Sequence, residues 1–223
     1  MEFKIEHAPV FTLVRVQMLA GEVMRAEAGA MMAMSPSIEL KAKTTGKGFL
    51  GAMGAMMGGE SLFGSEFRAE APGEVLLAPS TPGDIVHIKM NGQTILAQGG
   101  AYLAGSAGLN ITAQGSFKAM FSGEGLFLSK ISGQGDLILG SYGSIIEKTL
   151  APGEDYIVDT GHIVAFESTV TYTLKKAAKG IFSTLASGEG LVARYSGPGK
   201  IWIQTRNMKA LAMALNPFLP KGK

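Results

Sequence analysis

The chain has 223 residues, 46% of them apolar and only 17% charged, with 31 Gly and no Cys. Its formal charge of +2 comes without any basic run longer than Lys175-Lys176, which leaves nucleic acid without electrostatic support, and the lack of Cys excludes a disulfide framework and thiolate metal sites. So many Gly with so few charges predict many short strands joined by tight turns and little helix.

The N-terminal stretch MEFKIEHAPVFTL mixes charges among its apolar residues. It therefore reads as no secretory leader, and the location expected is cytoplasmic. Phe3 to Met18 is strand-like and broken at Ala8-Pro9, where a missing N–H suits an edge or a bend. The stretch Arg25 to Met34 has counterparts in Gln98 to Gly105 and Asp159 to Glu167, each with Gly and a short apolar strand. Alternation then predicts three half-buried strands, with Ile38, Leu40 and Ala42, then Leu109, Ile111 and Ala113, then Val170, Tyr172 and Leu174 on the apolar face. After a connection, each unit reaches a Gly-Glu phrase: Gly58 to Leu77, Phe121 to Leu139 and Ser187 to Arg206. Each phrase holds an alternating stretch, a Gly-marked turn and a second apolar stretch, and reads as a β-hairpin.

Bridging strands over 85–90 and 144–150 complete the pattern. We expect one all-β domain over 1–223, with repeat units at about 22–90, 91–150 and 151–206 closing as a sandwich or barrel about a pseudo-threefold axis. A helical tail over 207–223 follows, because Asn207 to Leu215 is made of good helix formers and stops at Asn216-Pro217.

Several ordered motifs resemble one family: GGESLF at 58–63, PGDI at 82–85, AYLAGS at 101–106, VDTGHIVAF at 158–166, SGEGLV at 187–192 and GPGKIWIQTR at 197–206. Together they are similar to the altered-inheritance-of-mitochondria protein 24 family over nearly the whole chain. The resemblance implies a β-sandwich or barrel related to the tryptophan RNA-binding attenuation protein, an oligomeric state, and no catalytic residues. Eukaryotic relatives are linked to mitochondrial inner-membrane organisation.

Motifs that carry chemistry are sparse. Gly46 to Gly51 fits GxGxxG but opens no helix in a βαβ context, and reads as an apolar loop. Ile157 to Gly161 fits the aspartic-protease signature, but His162 stands where a small residue belongs, so Asp159 and Thr160 read as turn caps. Asp159 and His162 remain the candidate ligand-binding pair, joined by Glu60, Glu124 and Glu189, which a threefold arrangement would bring together. No metal site and no cofactor is expected.

The loop from Gly46 to Gly59 carries Phe49, Leu50, Met53, Met56 and Met57, too apolar for a solvated segment. Its fourteen or so residues would span only about 21 Å as a helix against a hydrocarbon core of about 30 Å, so it reads as an interface or membrane-surface element. The function expected is a non-enzymatic oligomeric β-scaffold, a trimer or a multiple of it, binding a protein partner or a membrane surface. The alternative is a small-ligand-binding or hydrolytic protein with its pocket near Asp159 and His162.

Overall fold

The computed structural model describes residues 1–42, 64–114, 127–176 and 191–219. Nineteen strands and one helix are found there. They are β1 (Glu2–Glu6), β2 (Leu13–Met18), β3 (Val23–Ala26), β4 (Met31–Met34), β5 (Ile38–Ala42), β6 (Ser65–Ala69), β7 (Gly73–Leu77), β8 (Ile85–Asn91), β9 (Ile95–Gln98) and β10 (Tyr102–Ser106). There follow β11 (Asn110–Gln114), β12 (Leu128–Ser132), β13 (Gln134–Gly140), β14 (Ile145–Leu150), β15 (Asp155–Asp159), β16 (Ile163–Glu167), β17 (Thr171–Lys176), β18 (Leu191–Ser196), β19 (Gly199–Gln204) and the helix α1 (Met208–Leu215).

Local patterning accounts for these elements. In β2, Val14, Val16 and Met18 are buried while Arg15 and Gln17 on the opposite face are not, the period of two that a half-buried strand requires. The alternating strands behave as expected at Ile38, Leu109, Ile111 and Val170, which are buried, whereas Glu39, Lys41, Asn110 and Thr112 face water; Tyr172, expected on the buried face, is exposed, because β17 lies at the edge of its sheet. Asn207 caps α1 through its side chain, which accepts the Ala210 N–H at 3.0 Å.

The strands form four sheets, ordered β1-β2-β7-β4, β5-β6-β3-β10-β13-β8, β11-β12-β9-β16-β19-β14 and β15-β18-β17. Every pairing between named strands is antiparallel. Pairing order recurs at an interval of six strands. β2, β8 and β14 pair with β7, β13 and β19, which pair in turn with β4, β10 and β16. In the same way β5, β11 and β17 pair with β6, β12 and β18, and these with β3, β9 and β15.

Two expectations are corrected. The Gly-Glu phrases are not hairpins in their described portions, since β6 and β7 lie in different sheets, as do β12 and β13, and β18 and β19. Alternation marks which face of a strand is buried but not which neighbour it bonds, and the Gly turn sends the chain from one sheet to the next instead of back along itself. Nor does any sheet close into a barrel: closure needs first and last strands to bond each other, and each sheet keeps two edges. The sheets share cores in layers instead.

Val14, Val75 and Leu77 of the first sheet pack with Met24, Phe67 and Leu103 of the second. Leu137 and Leu139 of the second pack with Ile95, Val164 and Trp202 of the third. Phe166, Leu150 and Ile201 of the third pack with Val158, Ala193 and Tyr195 of the fourth.

Candidate functional site

The candidate pair Asp159 and His162 stands at the turn between β15 and β16. Asp159 ends its strand and accepts the Gly161 N–H through Oδ1 at 2.7 Å, while the His162 N–H donates to the Asp159 carbonyl at 2.9 Å. That is an aspartate-stabilised turn. The His162 Nδ1 lies 2.8 Å from the Gln204 carbonyl, and the Gln204 side chain donates to the Gly161 carbonyl at 3.0 Å and accepts the Tyr142 N–H at 2.9 Å. Both side chains thus bind backbone and fasten the turn to β19. Glu60, Glu124 and Glu189, and likewise Phe49, Leu50, Met53, Met56 and Met57, lie outside the described residues. So do Gly59, Gly123 and Gly188 of the Gly-Glu pairs.

A polar centre lies at Asp84. Just before β2, β8 and β14 the chain forms parallel bridges, Phe11 with Gly83 and Gly83 with Gly143. Gly83 is required there, because a Cβ would stand 1.8 Å from the Ser141 carbonyl oxygen. The Asp84 carboxylate accepts the Ile85 N–H at 2.9 Å, the Ile145 N–H at 3.3 Å and the Thr12 hydroxyl at 3.5 Å. Ser141 Oγ donates to the Gly143 carbonyl at 2.6 Å and accepts the Asp84 N–H at 3.2 Å. The sequence signal was the PGDI phrase at 82–85, whose Pro-Gly-Asp order suits a tight approach followed by a carboxylate cap.

A second cluster joins β8 to β13. The Asp136 carboxylate meets His87 Nε2 at 2.6 Å and the Lys89 ammonium, and its own N–H donates to Ser106 Oγ at 2.9 Å. Burial pushes the Asp136 carboxyl up, but the bonds from Lys89 and His87 outweigh it and hold it below the usual carboxylate range. The Phe3 ring packs against His87 at 5.3 Å between centroids. Ser106 bonds the backbone of Asp136 instead of an imidazole, so the three do not form a nucleophile relay. Among the described residues no group of three or more His, Asp or Glu is arranged to hold a metal ion.

What the described surface does offer is apolar. Helix α1 has no buried residue, and Met208, Met213, Leu215, Phe218 and Leu219 are exposed. On the edge strands β4 and β15, Met31, Met32, Met34, Tyr156 and Ile157 are exposed as well. No helix among the described residues is long and apolar enough to cross a membrane.

A family model described as Mitochondrial biogenesis AIM24 matches residues 3–206. The chain belongs to that family. It is 33% identical over 229 residues to an uncharacterized protein of Streptococcus pyogenes serotype M6, covering 99% of this chain and 92% of that one. The X-ray structure of a Streptococcus pyogenes protein, a structural-genomics target, superimposes with a TM-score of 0.83 at 29% identity, covering 98% of this chain and 99% of that one. The AIM24-family protein thus shares its strand layout with a solved relative along almost its whole length.

Proposed function

We propose that this AIM24-family chain is a non-enzymatic β-scaffold that assembles with itself and holds a partner protein through apolar surface. The observation that carries the reading is helix α1 with the turn after it: the helix is capped and regular yet buries none of its side chains, leaving Met208, Met213 and Leu215 in water, and Phe218 and Leu219 just beyond it are exposed too. Five large apolar groups on a short terminal segment make a docking element of the helix-in-groove kind, with Met supplying adaptable contacts. Several described charged groups support the same reading, because Arg15, Glu74, His87, Asp136, Glu147, Lys200 and Asp159 are engaged in cross-strand pairs and turns.

In this proposal the three six-strand sets, 13–77, 85–140 and 145–204, are successive related units, and the assembly is a trimer or a multiple of it. The recurring pairing order supports that arrangement. The apolar residues Phe49, Leu50, Met53, Met56 and Met57 would add contact surface, and Glu60, Glu124 and Glu189 would sit at matching places ahead of β6, β12 and β18. The cytoplasm is the proposed location.

The experiment compares the full chain with one ending at Arg206. Proximity labelling in the native cell should mark a defined protein set with the full chain and lose it with the shortened one. Flotation with anionic liposomes should leave both forms in the protein fraction; helix-dependent flotation would transfer the role to a membrane surface and overturn the protein-partner reading. A metabolite that raises the melting temperature of the full chain saturably, and fails to do so in Asp159→Ala, would overturn the scaffold reading in favour of a ligand pocket.

A further inference from the structure

We infer that β4 of one copy of this chain pairs antiparallel with β15 of a second copy, with Ala33 opposite Val158 and Met34 opposite Ile157. The inference deepens the scaffold reading and rests on its self-assembly clause. Its basis is a joint that the chain already makes twice within itself. β3 meets β10 with Ala26 opposite Ala104, Arg25 opposite Gly105 and Met24 opposite Ser106. β9 meets β16 with Ala97 opposite Ala165, Leu96 opposite Phe166 and Ile95 opposite Glu167. In both joints the second strand of one six-strand set bonds the third strand of the next.

The series leaves two strands over. β15 is the second strand of the last set and β4 the third strand of the first, and each ends its sheet. Their exposure shows what is missing. In β10, Tyr102, Leu103 and Ala104 are 8%, 1% and 0% exposed, whereas Met31, Met32 and Met34 of β4 are 38%, 56% and 36% exposed. Leu96 of β9 is 9% exposed against 65% for Ile157 of β15. A shallow hollow beside this edge is lined by Asp155, Ile157, Val192 and Arg194. Edge strands with apolar side chains on show pair with another chain unless something blocks them, and β4 carries no Lys or Pro to do so.

The register follows from the internal joints. The third strands share one irregularity, between Met31 and Ala33, Tyr102 and Ala104, and Ile163 and Ala165, which aligns Ala33 with Ala104 and Ala165. Nine residues beyond these stand Ala42, Ala113 and Leu174, which face Ser65, Ser129 and Ala193. Those in turn face Ala26, Ala97 and Val158. Val158 therefore takes the place of Ala26 and Ala97, and its partner is Ala33. Since each chain offers one β4 and one β15, the contact is head-to-tail and generates a closed ring or an open filament.

The absence of native Cys allows a direct test. Met34→Cys and Ile157→Cys proteins are made separately, mixed and mildly oxidised, and light scattering is run on the wild type and on Ile157→Lys. Facing residues of an antiparallel pair fall within disulfide reach, whereas positions displaced by two do not fit as well. The mixture should give a disulfide-linked heterodimer that neither protein gives alone, and a Met34→Cys and Asp155→Cys mixture should give little. Wild type should be a multimer, and Ile157→Lys should lose it while keeping the wild type's circular dichroism spectrum. A monomeric wild type overturns both the joint and the self-assembly clause. A multimer indifferent to Ile157→Lys and without the cross-link removes the joint and leaves the scaffold reading standing. A third protein carries Met34→Cys and Ile157→Cys in one chain, and a fast-migrating intrachain disulfide in it would mean that the two edges close on each other within one copy, which also overturns the inference.

Discussion

Glu27 gives the most discriminating test of how the sheets are joined. It follows β3 directly, and its N–H donates to the Leu103 carbonyl at 2.9 Å, next to the joint between β3 and β10. Burial there pushes its carboxyl from 4.5 up to about 7. Because the folded value lies above the unfolded one, the folded chain holds the proton more tightly, and stability falls as pH rises from about 4.5 until it levels off above about 7. Full ionisation across that interval would cost roughly 3 kcal/mol at about 1.4 kcal/mol per pH unit, and about 1–3 once partial solvent access is allowed for. Glu27→Gln keeps the shape and removes the charge. Urea melts at pH 8.5 should find the variant more stable than the wild type by that amount, and melts at pH 4 should find them nearly equal. A gap of equal size at both pH values, or a variant less stable at pH 8.5, would refute the reasoning, since the charged carboxylate would then be stabilised by a partner.

Other expectations follow from single contacts. The Tyr195 hydroxyl is buried with no hydrogen-bond partner among the described residues, and its ring packs on those of Phe166 and Tyr172, so Tyr195→Phe should raise the denaturation midpoint by a stability gain of up to about 1–2 kcal/mol. Asp136→Ala should cost about 1–2 kcal/mol by calorimetry, because His87 loses its acceptor; the loss should shrink in acid, as a carboxylate with a depressed value stabilises above its ordinary range and ceases to as pH falls through the folded value. Asp159→Ala should cost about 1 kcal/mol through the Gly161 bond and His162→Ala a similar amount through Gln204, with the melting curve shifted and no activity lost.

The parts of this fold that depend on near neighbours were legible. Alternation placed the strands around Ile38, Leu109 and Val170, and composition with the Asn216-Pro217 stop placed α1 within a residue of its observed start. Partners were not legible in the same way. Nothing in the SGPG and SGQG turns distinguishes a chain that folds back on itself from one that crosses to another sheet, because the choice is made by strands distant in sequence, as when Met24 of β3 pairs with Ser106 of β10. Met31 to Met34 reads as an opening strand for the core, yet it is exposed along its length; burial needs a neighbouring strand, and the described chain supplies none on that side. Of the candidate site residues, Asp159 is found in the turn role that the signature's poor fit suggested, and His162 bonds the Gln204 carbonyl from the same turn. The partners of Asp84 and the burial of Glu27 were not legible, because they arise from contacts between distant segments.

The His87 and Asp136 pair invites a catalytic reading, and the comparison with its neighbours argues against one. His87 is the third residue of β8 and faces Ile138, two residues beyond its partner Asp136. Arg15 is the third residue of β2 and faces Leu76, two beyond Glu74, to which it donates at 2.6 Å. Glu147 is the third residue of β14 and faces Trp202, two beyond Lys200, whose ammonium donates to it at 2.6 Å. The same diagonal is thus filled by Arg with Glu, by His with Asp and by Glu with Lys, with the order of charges reversed in the last. A general acid or base needs one kind of group with a tuned affinity for protons, whereas an arrangement indifferent to which strand carries which charge needs only attraction. Arg15 in particular never gives up its proton at any working pH. These diagonals therefore clamp the first strand of each set to the last, and His87 with Asp136 serves its sheet as Arg15 with Glu74 and Glu147 with Lys200 serve theirs.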